Sequence, residues 1–132
     1  MSKKTILFIE DDLPTIEVYK IALERAGFDV DPMLSGEEAI RRVKEIEQGQ
    51  AKNPDLVLLD LILPDINGIE VLEEIRNHKK TKDIQVLILS NYTNEELEKK
   101  GLFLKAERYL LKTDYAPSQL VEIVKEKLGE KK

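Results

Sequence analysis

The apolar residues of this chain follow two rhythms that alternate from one end to the other. Residues 6–9, ILFI, are a continuous apolar run, the mark of a strand covered on both faces. Over residues 13–26 the period changes to that of a helix. Ile16, Tyr19, Leu23 and Ala26 share one stripe, and Gly27 stops it. Residues 28–33 make a poorer strand, expected near a sheet edge. Ser35-Gly36-Glu37-Glu38 reads as a capping box opening a second helix, in which Ala39, Ile40, Val43 and Ile46 repeat at helical spacing. Residues 56–59, LVLL, form the second strong strand. Residues 69–77 place Val71, Leu72 and Ile75 on one helical face, and residues 84–89, IQVLIL, form the third strong strand.

Thr93-Asn94-Glu95-Glu96 repeats the capping-box pattern. The helix it opens, over residues 94–100, offers only Leu97 to a core, so it is expected to be short and loosely held. Residues 109–111 are a short strand. Residues 118–128 are a last helix carrying Leu120, Ile123, Val124 and Leu128, before a solvated GEKK end. Five strand–helix units without a repeat or linker imply an α/β fold: a parallel sheet covered on both faces, with right-handed crossovers. The three strongly apolar strands belong at its centre. The expected fold is therefore a doubly wound five-stranded sheet of order 2-1-3-4-5, flavodoxin-like (βα)5. Its ligand crevice should lie at the carboxyl ends of the first and third strands.

Composition narrows the setting. The 132 residues fit one domain spanning 1–132, and 42% hydrophobic beside 36% charged residues is the balance of a globular chain. A net charge of −5 argues against a nucleic-acid partner. The absence of cysteine excludes disulfides and thiolate metal sites and suits a reducing compartment. The short apolar run at residues 6–9 is followed at once by acids, unlike a signal peptide. No apolar stretch approaches the roughly 18 residues that span a membrane. A cytoplasmic protein without a membrane partner is expected.

The candidate chemistry begins with a carboxylate in an apolar setting. In LVLLDLILPDING, Asp60 ends a buried strand, where an unpaired charge costs several kcal/mol or more. In the expected fold, Asp11 and Asp12 follow the neighbouring strand, about 4.8 Å away. Two carboxylates roughly 5 Å apart repel by about 3 kcal/mol at an effective dielectric near 20. A hard divalent cation such as Mg²⁺ is the obvious compensation. Asp12 has a second reading, as the N-cap of the first helix with Pro14 in its first turn. Ser90 and Lys112 end two further strands at the same edge. A hydroxyl and an ammonium suit the oxygens of a phosphoryl group, and Asp60 can serve as its nucleophilic acceptor.

Together, Asp11-Asp12 after the first strand, Asp60 inside LLDLILPDING, Ser90, and Lys112 three residues after Tyr109 resemble the receiver domain of two-component response regulators, of the single-domain type. The resemblance spans essentially the whole chain and implies roles position by position. Asp60 is the phosphoacceptor, supplied by a sensor histidine kinase or a phosphotransfer protein. Asp12 and Asp60 ligate Mg²⁺ directly with the Ile62 carbonyl, and Asp11 does so through water. Ser90 and Lys112 bind the phosphoryl oxygens, and Tyr109 is the aromatic switch that follows Ser90. Pro64 and Gly68 match loop-shaping positions. The resemblance implies phosphorelay signalling rather than an enzyme with external substrates.

Three positions depart from the family pattern. Asn91 stands where a small residue is usual, which bears on access to the phosphoryl group and on its lifetime. Thr113 replaces a proline often found after the lysine, and Lys105 replaces a glycine before AERY. None of these removes a required group. The output is expected to be a surface change without an attached effector. It would be carried by the face of the fourth helix, fifth strand and fifth helix, toward a downstream protein or a second copy in a phosphorylation-dependent homodimer. His78, the only histidine, reads as a surface residue. A phosphohydrolase is disfavoured because Ile62 stands where such enzymes carry a second acid and no length remains for a lid. A receiver-shaped module that is never phosphorylated is disfavoured by the intact acid, serine and lysine set.

Overall fold

In the computed structural model of the protein, the described residues are 3–91 and 95–129, the side chains of Leu97 and Leu102 excepted. Five strands and five helices alternate: β1 (Thr5–Ile9), α1 (Leu13–Arg25), β2 (Asp29–Met33), α2 (Gly36–Glu47), β3 (Leu56–Leu59), α3 (Gly68–Asn77), β4 (Gln85–Ser90), α4 (Glu95–Phe103), β5 (Arg108–Leu111) and α5 (Pro117–Lys127). All neighbouring strands pair in parallel, in the order β2-β1-β3-β4-β5. This is the expected doubly wound topology, with β2 and β5 at the edges. Pro32 lies in the edge strand β2, where a missing N–H is tolerated.

Alternation along the central strands divides the core in two. Ile6, Phe8, Leu56, Leu58, Leu87 and Leu89 face α1 and α5, meeting Ile16, Leu23, Leu120 and Val124. Leu7, Ile9, Val57, Leu59, Val86 and Ile88 face the other way, meeting Ala39, Val43, Val71, Leu72 and Ile75 of α2 and α3. Each such buried aliphatic or aromatic side chain contributes about 1.5–3 kcal/mol relative to exposure. Continuous apolar runs are what the central strands β1, β3 and β4 require, because neither of their faces meets water.

The elements begin and end where the sequence indicates, with local differences. Asp12 caps α1 with Pro14 just inside it, and Ser35 caps α2 by accepting from Glu38 N at 3.1 Å. Glu38 reaches back one residue further than a simple capping box, accepting from Leu34 N at 3.1 Å. The fourth helix runs to Phe103 rather than stopping at Lys100. Thr93 and Asn94 of its expected capping box, and the terminal Glu130-Lys131-Lys132, lie outside the described residues, as does the Leu97 side chain. Lys105 adopts a φ of 65°, the left-handed conformation that glycine enters at no steric cost. The turn before AERY thus keeps the shape expected of a glycine, although a lysine forms it.

Strand register sets up the site. Ile9 pairs with Leu59, Leu59 with Ile88, and Ser90 with Leu111. The residues that follow these positions emerge together at the carboxyl edge of the sheet.

Candidate functional site

The β1 ladder does not stop at Ile9. Glu10 N donates to Met33 O at 3.0 Å, and across the next strand Asp60 N donates to Ile9 O at 3.0 Å. Both acids are held by backbone pairing in places closed to water: Glu10 is 1% exposed and Asp60 5%. Lys112 joins them from the end of β5. Its Nζ donates to Glu10 Oε1 at 2.5 Å and to Asp60 Oδ2 at 3.2 Å. Asp60 Oδ1 accepts from Ile62 N at 3.1 Å, and Glu10 Oε2 accepts from Asp12 N at 3.1 Å.

One carboxylate oxygen from each of Glu10, Asp11 and Asp60 lies within 4.8 Å of the others, the only such acid cluster among the described residues. Asp12, expected as a metal ligand, is turned to a different task. Its Oδ2 accepts from Thr15 N at 3.1 Å and from Thr15 Oγ1 at 2.5 Å, the N-cap reading of this residue. Those bonds from Thr15 hold its carboxyl below the usual range. The structure therefore replaces Asp12 with Glu10 in the cluster. Glu10 continues the side of β1 that Ile6 and Phe8 occupy, and that period of two was the available signal. It is obscured in sequence because an acid after four apolar residues looks like the end of the strand.

Burial pushes the Glu10 carboxyl up to about 6; its bond from Lys112 opposes this, and the charge of Asp60 adds to it. Burial works against the Lys112 ammonium too, but Glu10 and Asp60 outweigh it and hold its pKa above the usual range. Three carboxylates facing one ammonium leave the cluster short of positive charge. Hard oxygen donors at this spacing, with that deficit, suit a small divalent cation such as Mg²⁺. The cluster opens on a cavity of about 400 Å³ lined by Glu10, Asp11, Asp12, Asp60, Ile62, Asn91 and Lys112. One apolar side chain of its lining stands out, Ile62 at 46% exposed.

Ser90 ends β4 and is buried, one residue before Asn91 at the cavity wall. Tyr109 pairs with Ile88 in the sheet and packs half-buried against the α2–α3 side of the core. Ser90 lies two residues beyond Ile88, so the hydroxyl and the aromatic share one face of adjoining strands. Lys112 opens a 3₁₀ turn through Asp114, in which Thr113 takes the place of the family's usual proline. His78 lies at the other end of the sheet, at the C-terminus of α3, where its Nε2 is 2.7 Å from Glu74 Oε2.

Comparison with known proteins adds independent support. Residues 6–125 match the family model for the response regulator receiver domain. The chain is 34% identical over 126 residues to the alkaline phosphatase synthesis transcriptional regulatory protein PhoP of Bacillus subtilis, covering 95% of this chain and 48% of that protein. It is 31% identical over 125 residues to the phosphate regulon transcriptional regulatory protein PhoB of Pseudomonas aeruginosa, covering 95% and 52%. The chain thus spans about half the length of the curated relatives it matches. Among solved structures, a CheY-like response regulator receiver domain protein from Methanospirillum hungatei superposes with a TM-score of 0.85 at 29% identity, covering 98% of this chain and 96% of that one. The phosphorylated cyanobacterial phytochrome response regulator RcpA gives 0.81 at 34% identity, covering 95% and 91%. With its parallel sheet, its buried acid cluster and a family match over nearly its full length, this chain belongs to the response regulator receiver domains of two-component signalling.

Proposed function

We propose that Asp60 accepts a phosphoryl group from a phosphohistidine on a sensor kinase or phosphotransfer protein. The observation that carries this reading is the Lys112 ammonium 3.2 Å from a 5% exposed Asp60 carboxylate, with Glu10 and Asp11 beside it at the mouth of a cavity. Asp60 forms a new P–O bond as the donor's P–N bond breaks, and the electron pair returns to the donor imidazole nitrogen. Lys112 is already aimed at the place where phosphoryl oxygens will stand, and Ser90 supplies a hydroxyl from the adjoining strand end. Asp11, Asp60 and the Ile62 carbonyl would hold Mg²⁺, with Glu10 in support; Asp12 stays with its helix. Bound there, the ion supplies positive charge to the phosphoryl oxygens as the transfer proceeds.

The acyl phosphate adds about −1.5 to −2 charges to a buried site. Lys112 then turns from Glu10 toward the new oxygens, Ser90 follows, and Tyr109 moves with it. This carries the signal to the face of α4, β5 and α5, which meets a downstream protein or a second copy of the chain. The protein works in the cytoplasm without nucleic acid or membrane as its own ligand. It acts as a signalling acceptor rather than a turnover enzyme, and Ile62, two residues past Asp60, offers no second acid for hydrolysis.

Incubation with Mg²⁺ and a small acyl phosphate is expected to label the wild type with an acid-stable, hydroxylamine-labile phosphoryl group. Asp60→Asn is expected to abolish it. Label retained in that variant, or rapid release of inorganic phosphate by the wild type, would sink the reading.

A further inference from the structure

The loop between β3 and α3 is fastened at both ends. At its base, Gly68 N donates to Leu61 O at 2.9 Å, and Ile62 and Asn67 form an antiparallel bridge. A Cβ on Gly68 would fall 2.5 Å from the Asp60 carbonyl oxygen, so glycine is what allows α3 to begin against the strand end. At its tip, Asp65 reaches across to another helix. Its Oδ1 accepts from Gly36 N at 2.9 Å and its Oδ2 from Glu37 N at 2.8 Å, the first two residues of α2. Oδ1 also accepts from Ile66 N within the loop at 3.0 Å. The Ile66 side chain closes over Gly36 so tightly that a Cβ there would fall 2.3 Å from its Cγ1.

Helix α2 already has its own cap in the Ser35 hydroxyl, so Asp65 is a second acceptor on the same first turn, delivered from a distant part of the chain. Burial alone would raise its pKa, yet the N–H bonds from Glu37, Gly36 and Ile66 together lower it, keeping both oxygens available as acceptors. Ile62 stands at the fastened base, where its N–H orients Asp60 Oδ1 at 3.1 Å.

We propose that Asp65 is a positioning residue for the acceptor site: by latching the loop tip to the N-terminus of α2, it holds Ile62, and through it the Asp60 carboxylate, in the geometry that binds the divalent ion. The latch itself is a property of the loop, while its consequence for the ion rests on the phosphoacceptor reading. Groups that hydrogen-bond a metal ligand directly are worth about tenfold or more in metal affinity when removed, and Asp65 acts one contact further out, through the loop.

The test is calorimetric titration of Mg²⁺ into the full chain without phosphodonor, with hydrogen exchange at Ile62 in the metal-free protein. Asp65→Ala should weaken Mg²⁺ binding by a factor of up to about ten and speed exchange at Ile62, and Asp65→Asn, which keeps one acceptor oxygen, should fall between it and wild type. Gly36→Ala attacks the latch from the other side. Helix propensity alone favours alanine there, but the clash with Ile66 should weaken Mg²⁺ binding in the same direction. If the variants lose thermal stability while Mg²⁺ affinity and Ile62 exchange stay at wild-type values, Asp65 is only a helix cap. If wild type neither binds Mg²⁺ nor accepts a phosphoryl group, the phosphoacceptor reading falls, and Ile62 exchange alone decides whether the latch exists.

Discussion

Glu10 illustrates how one residue's surroundings set its charge. Its carboxyl is 1% exposed, shares the Lys112 ammonium with Asp60, and has a pKa pushed from 4.5 up to about 6. Below pH 4.5 the folded and unfolded chains both carry it protonated. Between about 4.5 and 6 the unfolded chain ionises first, so this group lowers stability as pH rises. Above 6 its contribution levels off at a loss of about 2 kcal/mol. In metal-free protein, Glu10→Gln should therefore gain about 2 kcal/mol on the wild type between pH 4.5 and 7.5, read from urea melts. A gap between the two proteins that does not change with pH would refute this account of Glu10. The same residue marks where sequence reading stopped short. Asp60, Asp11 and Lys112 were legible as chemistry because they stand at predicted strand ends. Glu10 was not, because its inclusion depends on one further hydrogen bond in the β1 ladder.

At the scale of elements, α4 is fastened at the end away from the acids. The Arg76 guanidinium, from the last turn of α3, donates to the carbonyls of Leu104 at 2.7 Å, Lys105 at 2.9 Å, Ile84 at 2.7 Å and Lys82 at 2.9 Å. One side chain thus ties α3, the approach to β4 and the α4–β5 turn, including the left-handed Lys105. Arg76→Met should cost about 2–4 kcal/mol in unfolding free energy, since charge-assisted bonds are lost and carbonyls are left without donors. Its hydrogen exchange should rise first over residues 103–106. A denaturation midpoint equal to wild type would contradict this role. The pattern of α4 itself was only partly readable. The short helix expected from a single core residue is in fact carried to Phe103, because docking of its C-terminal end adds contacts that periodicity does not register.

At the scale of the whole molecule, the sheet separates two cores and gathers its chemistry at one edge. The acids open toward Ile62 and Asn91, while Ser90 and Tyr109 lie on strands that lead toward α4 and α5. In the proposed switch, a change at Asp60 travels through Ser90 and through Tyr109, which packs against the α2–α3 core. Once the acyl phosphate has formed, wild type should show altered hydrogen exchange over α4 and β5. Tyr109→Ala should take the phosphoryl group at a similar level but lose that alteration. Exchange that changes equally in both proteins would remove Tyr109 from the switch, and loss of phosphorylation in the variant would assign it to the site instead.

By itself the amino-acid sequence determined the alternation of strands and helices, the buried central strands and the carboxyl edge where Asp60, Asp11, Ser90 and Lys112 stand. These follow from local periodicity and from topology rules that leave few alternatives to a βα repeat. Only the tertiary structure decided which acids share a cluster and which carboxylates serve backbone. Asp12 looks like a ligand in a linear sequence and Asp65 like an ordinary turn acid, yet the oxygens of both are taken by N–H groups of α1 and α2. Glu10 looks like a loop acid, yet it is buried against Lys112, 102 residues away. A hydrogen bond depends on direction and on partners distant in sequence, and neither quantity is present in a pattern of apolar and polar positions.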